Sequence, residues 1–209
     1  MNGHQRLLAA IAAVVIVEGA LISGQERRPS PEHLARVTQQ RNEEIKAERL
    51  LERIGVEPGM MIGEAGAGGG YFTFLLARQV GPQGHVYAND IDSRALEILK
   101  GRQSGLGLVN ITTVLGESDD PLFPEKNLDM IVMMYAYHEF ADKVAWLKKA
   151  RKYLKPGAPV VILDLVDDQD RVILPEDIDR DARQAGLELT FFEKFVPRLN
   201  IFVLKAVQA

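Results

Sequence analysis

The sequence predicts an α/β fold, a mostly parallel sheet with helices on both faces. Three observations predict it. From Gly55 onward, short strand-like runs alternate with helical segments, the pattern in which helices cross over between parallel strands. The runs are nearly continuous in apolar residues, as in Met130-Ile131-Val132-Met133-Met134, which suits strands covered on both sides. The chain has 209 residues, 46% hydrophobic and 26% charged. That is enough for one domain with a proper core, and too apolar for a disordered chain.

The elements follow in order. Glu57-Pro58-Gly59 is a turn signal. Residues 60–65 read as a short buried strand, 66–70 as a glycine-rich loop and 71–80 as a helix. Gly81-Pro82-Gln83-Gly84 turns the chain into a second strand over 85–89 that ends at Asp90. Ser93 suits the N-cap of a helix running to about Gln103. Residues 111–115 form a third strand and 128–134 a fourth. A long helix is expected over 139–154, stopped by Lys155-Pro156-Gly157. Residues 159–165 are a fifth strand. Residues 175–185 are a helix with Pro175 in its first turn and Gly186 after its end. Residues 187–196 and 200–206 read as a closing antiparallel pair joined at Pro197-Arg198.

The N-terminal part differs. Residues 7–17 are unbroken apolar after Arg6, Glu18 interrupts the run, and Arg27 and Arg28 follow it. A spanning helix needs about 20 apolar residues. Three readings stay open: an uncleaved anchor or interfacial helix associating with a membrane through residues 7–22, a cleaved export signal, and a soluble packing helix. The organisation expected is therefore an apolar segment over 1–24, a charged helical lid or linker over 25–55, and the α/β domain over 56–209. The middle segment is rich in both charge signs, so a solvated helix laced by ion pairs is its plainer reading.

Composition excludes several chemistries. The formal net charge is −4, without the basic surplus of a protein that lives on nucleic acid. There is no cysteine, hence no disulfide scaffold, thiolate zinc site, iron–sulfur site or thiol nucleophile. The four histidines, His4, His33, His85 and His138, are far apart in sequence, so no metal site is expected.

Three features fall at strand ends, where open α/β sheets bind ligands. The first is Glu64-Ala65-Gly66-Ala67-Gly68-Gly69-Gly70-Tyr71. Four glycines in five residues between a strand and a helix point to a ligand loop rather than a simple turn. Counted from Gly66, the dinucleotide fingerprint would end on Tyr71, which is neither Gly nor Ala. No Lys follows the glycines, which disfavours a nucleoside triphosphate. The second is Asp90, whose carboxylate suits a ribose diol; a helix-start acid is the alternative, a role Asp92 fills better. The third is Gly116-Glu117-Ser118-Asp119-Asp120, whose acceptors could read an exocyclic amine or merely form an acidic surface loop.

In the stretches 64–70, 85–92, 116–124 and 129–138, followed by Lys155-Pro156-Gly157, residues 45–206 resemble the class I S-adenosylmethionine-dependent methyltransferases, closest to the small bacterial type 11 and type 25 groups. The resemblance implies a Rossmann-like seven-stranded sheet whose last strand is antiparallel, with S-adenosyl-L-methionine as cofactor. It implies that Glu64 holds the loop and the methionine end, and that Gly66, Gly68 and Gly70 let the backbone pass the cofactor. It further implies Asp90 on the ribose hydroxyls, Ile91 on the adenine face, Glu117 and Ser118 at the adenine edge, and Tyr135 at the methionyl group. Gly69 stands where Thr or Ser is common, and Ala158-Pro159 replaces a usual glycine. The cofactor is made in the cytoplasm, so the expected location is cytoplasmic or membrane-anchored facing that side, with export left open.

The cofactor supplies the electrophile, so the protein mainly positions the reactants, and a base is needed only where the acceptor must lose a proton. His138, just past the fourth strand, is the leading candidate; a polar residue at a helix start is its plainer reading. Glu139, Asp164 and Asp167 are weaker candidates, and Trp146 reads as core or helix surface. A small-molecule acceptor is expected, with no nucleic-acid partner. A non-catalytic cofactor-binding protein and a nicotinamide-dependent reductase are the competing functions.

Overall fold

The computed structural model describes residues 31–164, 174–197 and 199–207. The apolar segment over 1–24 and Asp167 lie outside the described residues. The chain divides into two compact units, Met1–Val37 and Thr38–Ala209, and the sheet, core and candidate site all belong to the second. Among the described residues no helix is long and apolar enough to cross a membrane.

Helices α1 (Pro31–Glu44) and α2 (Ala47–Arg53) precede the sheet. Ala47, Leu50, Leu51 and Ile54 recur at helical spacing and are buried in the core. Glu48, Arg49, Glu52 and Arg53, on the other face, are exposed. The segment expected to be a charged lid or solvated helix therefore packs an apolar stripe while keeping its charges in water.

The alternating part runs β1 (Met61–Ala65), α3 (Tyr71–Val80), β2 (His85–Asp90), α4 (Ser93–Leu106), β3 (Ile111–Leu115), β4 (Met130–Met134), α5 (Lys143–Ala150), β5 (Val160–Asp164), α6 (Pro175–Gln184), β6 (Leu187–Val196) and β7 (Leu199–Ala206). Among the described residues the strands form one seven-stranded sheet in the order β3-β2-β1-β4-β5-β7-β6. The first five pair with one another in parallel. β7 enters between β5 and β6, antiparallel to both. Side chains alternate between the two faces, as a pleated strand requires. Met130, Val132 and Met134 of β4 join Leu50, Leu76 and Leu99 in one core layer. Ile131 and Met133 join Trp146, Leu147, Ile178 and Phe202 in the other. The expected α/β sheet with a closing antiparallel pair is the fold observed.

Four boundaries differ from expectation for local reasons. Asp92, not Ser93, caps α4: its carboxylate accepts from Arg94 N at 2.8 Å, and an acceptor there satisfies a free helix N–H. The same helix runs through Gly101 and Gly105 and ends at Gly107, in the left-handed region at φ 65°. β4 starts at Met130 because Leu128 instead forms an isolated bridge with Leu154. The helix expected over 139–154 is broken into a 3-10 turn at Tyr137–Glu139, α5, and a second 3-10 turn at Arg151–Tyr153. Asp142 causes the first break, its side chain accepting from Ala145 N at 2.8 Å.

Strand order reverses between β1 and β4, so their outgoing loops diverge and leave a crevice at the carboxyl ends.

Candidate active site

The crevice holds a cavity of about 340 Å³, lined among others by Gly66, Asp90, Ile91, Glu117, Ser118, Tyr135 and Glu139. That volume lies at the low end of small-ligand sites, roughly 300–1,000 Å³. The structure thus brings together most of the residues singled out from sequence.

The wall on the β1–β2 side is tied to itself. Asp90 Oδ2 accepts from Gly68 N at 2.8 Å and Oδ1 from Asp92 N at 2.9 Å. Each carboxylate oxygen has further lone-pair capacity. Gly66 and Gly68 have φ of +72° and +51°, a region that other residues occupy at a cost. A side chain at Gly66 would collide with Ala136, whereas one at Gly68 would meet nothing within 4 Å. Gly70 is buried, and a side chain there would meet Phe74 and Leu99. Ile91 is 65% exposed, an apolar face left open at the cavity.

Glu64 sits beneath the loop, only 1% exposed. Burial pushes its carboxyl up from 4.5 to about 8; the nearby Thr73 hydroxyl offsets part of the rise and the Asp90 carboxylate adds to it. Glu64 Oε2 and Thr73 Oγ1 are buried without a hydrogen-bond partner among the described residues. A buried polar atom left in that state is costly and points to a ligand or water contact.

The far wall follows β4. Tyr135 lies in the left-handed region at φ 56°, its N–H donating to Leu163 O at 2.8 Å. A non-glycine residue held there marks a constrained site. His138 does not line the cavity, but its neighbour Glu139 does. His138 Nδ1 is 2.8 Å from Asp164 Oδ1, and its backbone N donates to Asp164 Oδ2 at 3.1 Å. Nε2 is 3.1 Å from Glu139 Oε1. Asp164 is buried and Glu139 is 65% exposed at its side chain, so one carboxylate is shielded from water and the other meets it.

Sequence reading missed one lining residue, Asn89, and the placement of two residues it had weighed, Trp146 and Asp164. Asn89 lines the cavity and donates through Nδ2 to Pro121 O at 2.7 Å, pinning the loop that follows β3. A lone amide just before the acid at the end of an apolar strand was the available signal. Trp146 is buried in the core, as expected, yet also reaches the cavity beside Phe140, with ring centroids 4.9 Å apart. Asp164 proves to be the partner of His138, a contact between strand ends that no local motif announces. Among the described residues no cluster of His, Asp or Glu could hold a metal ion.

A family model described as a methyltransferase domain matches residues 57–191. The chain belongs to this family of class I S-adenosylmethionine-dependent methyltransferases. Among curated proteins it is 27% identical over 124 residues to a ubiquinone/menaquinone biosynthesis C-methyltransferase of Shewanella oneidensis, covering 59% of this chain and 49% of that one. The corresponding enzyme of Vibrio parahaemolyticus is 31% identical over 111 residues, or 53% and 43% of the two chains. The chain thus spans about half the length of the curated relatives it matches. Among solved structures, an S-adenosylmethionine-dependent methyltransferase from Aquifex aeolicus superposes with a TM-score of 0.73 at 22% identity, covering 86% of this chain and 100% of that one. The [4+2]-cyclase SpnF superposes at 0.64 with 12% identity, covering 98% and 95%; at that identity the fold alone is shared. The methyltransferase family implies S-adenosylmethionine as cofactor, and neither the reductase nor the non-catalytic reading is favoured.

Proposed function

We propose that the protein methylates a small molecule at an atom that gives up a proton, and that His138, oriented by Asp164, receives the proton. The observation that carries this is the 2.8 Å contact between His138 Nδ1 and the buried Asp164 carboxylate, reinforced by the bond from His138 N. A carboxylate at Nδ1 holds the proton on that nitrogen and leaves Nε2 as the acceptor. Nε2 now faces Glu139; swinging the exposed Glu139 side chain aside would offer Nε2 to an acceptor hydroxyl or enol.

The described residues fit the cofactor. Asp90 would accept from the ribose hydroxyls with the lone pairs that Gly68 and Asp92 leave over. Ile91 would cover the adenine face, with Glu117 and Ser118 at its edge. Gly66, Gly68 and Gly70 shape the loop beside it. Glu64, with its unpartnered Oε2, and Tyr135 would meet the methionine end. When bound, the cofactor supplies an electrophilic methyl group on a cationic sulfur. The carboxylates of Asp90, Glu117 and Glu139 give the site a negative field suited to that cation. Phe140, Ala141 and Trp146 provide apolar cover on the acceptor side and help to exclude water.

The relatives named for C-methylation in quinone biosynthesis support an aromatic, phenolic acceptor, whose ionisation would activate ring carbon or oxygen. Membrane association through residues 7–22 would suit an apolar acceptor of that kind, and fractionation of the full-length protein checks it.

The test is label transfer from methyl-labelled S-adenosylmethionine to a panel of phenols, amines, carboxylic acids and quinol head groups. Phenolic or quinol acceptors should be methylated. Asp164→Asn and His138→Gln should each lower kcat by about 10²–10⁴-fold, the range of general-base contributions, with S-adenosylhomocysteine affinity unchanged. Wild-type kcat in both variants overturns the assignment. A loss confined to Glu139→Gln transfers the role of base to Glu139, the residue that lines the cavity.

A further inference from the structure

Arg41, near the end of α1, is a half-buried cation that the site as described leaves unused. Its guanidinium carbon lies 3.9 Å from the Tyr71 ring centroid and 5.8 Å from that of Tyr135. Tyr71 opens α3 directly after the glycine loop, and Tyr135 lines the cavity. The arrangement is fastened, because Tyr71 Oη donates to Asn42 Oδ1 at 2.8 Å. Burial pushes the Tyr71 phenol upward, with Arg41 opposing, so the ring under the cation is neutral and provides no counter-ion.

The other cations near these strand ends are engaged. Arg102 Nη1 donates to Gly69 O at 2.8 Å, and Lys143 Nζ to Phe140 O at 2.8 Å. Lys149 and Lys155 pair with Asp119 and Asp129. Glu44, one turn beyond Arg41, accepts instead from Gln40 at 2.9 Å. Among the described residues Arg41 is left with ring faces and no ion pair. A guanidinium stacked on a ring keeps its in-plane N–H groups available, and their fork matches a carboxylate.

We propose that Arg41 receives the carboxylate at the amino-acid end of S-adenosylmethionine, making α1 a clasp over the cofactor. This rests on the orientation proposed above, with ribose at Asp90 and the methionine end toward Glu64 and Tyr135. Arg41 stands over the ring of Tyr135, which lines the cavity, so in that orientation its guanidinium would be on the side of the methionine carboxylate. Glu64, whose Oε2 has no partner among the described residues, would accept from the ammonium instead.

The experiment is calorimetric titration of the full-length protein with S-adenosylhomocysteine and with its decarboxylated analogue. Arg41→Met keeps the stem over the rings and removes the fork; Arg41→Lys keeps the charge alone. Arg41→Met should weaken S-adenosylhomocysteine roughly 10- to 100-fold, the scale of a charge-assisted bidentate contact, and leave the decarboxylated analogue unchanged. Arg41→Lys should recover part of the loss. Unchanged S-adenosylhomocysteine affinity in Arg41→Met overturns the proposal, and so does an equal loss for both ligands, which would make Arg41 a packing residue. Asp90→Ala is the control: if it fails to weaken either ligand in an otherwise binding protein, the orientation itself is wrong.

Discussion

The two walls of the cleft are built differently. On the β1–β2 side the contacts hold backbone N–H groups: Asp90 accepts from Gly68 N and Asp92 N, and Asn89 O accepts from Ala67 N at 2.9 Å. On the β4–β5 side the functional contact joins His138 to Asp164, 26 residues away, and Glu139 stays exposed. The first wall is set by loop geometry before any ligand arrives. The second has one buried carboxylate, one imidazole and one exposed carboxylate. This difference suits a preformed site for an invariant cofactor facing an adaptable surface for the acceptor.

Three measurements sharpen that contrast. Asp90→Ala should have the largest effect, lowering S-adenosylhomocysteine affinity by about 10²–10⁴-fold if two charge-assisted hydrogen bonds are lost. Isothermal titration measures it, and an equal loss in Asp164→Asn would erase the distinction between the walls.

Next is the pH dependence of stability that Glu64 imposes. Its carboxyl stands at about 8 in the folded chain, chiefly through burial, against an ordinary 4.5. Between these values the folded chain keeps a proton that the unfolded chain has released, so stability from this group is full below pH 4.5 and is lost as pH rises to 8. The loss could reach about 5 kcal/mol at the full shift. Urea unfolding at pH 5.5 and pH 8.5 should show wild type weakening more than Glu64→Gln. Parallel pH profiles would mean that Glu64 is ionised in the fold.

Smallest is the comparison of two loop glycines. Gly66→Ala forces a side chain into Ala136 and should cost about 3 kcal/mol, strain and overpacking together. Gly68→Ala places its methyl in open space and should cost only about 1 kcal/mol, that of its left-handed backbone. Thermal unfolding ranks them, and equal losses would deny that the loop packs against the β4 side at Gly66.

The first wall was legible because its chemistry is written in consecutive residues. Glycines and acids at the ends of apolar runs mark Gly66, Asp90 and Ile91, which line the cleft, and Glu64 beneath the loop. The second wall was legible only in part. His138 follows β4 in sequence, but its partner is supplied by sheet order, which brings β5 beside β4. Periodicity also carried the expected helix straight through Asp142, whose capping bond to Ala145 ends one turn and begins another. Arg41 was hidden for a related reason. One charge among many on a polar helix looks solvated until the aromatic rings beneath it are placed.

The position of β7 bears on the order in which the molecule can be completed. β6 joins the sheet only through β7, which follows it in the chain and lies between β5 and β6. As the polypeptide emerges from its N-terminus, β5 must therefore wait as an uncovered edge, with Val160–Asp164 unpaired on one side, until the residues from Leu199 onward arrive. An open apolar edge is a template for pairing between chains. Ile201, Phe202 and Leu204 close that edge, so the last strand acts as the latch that removes the template from the half-sheet.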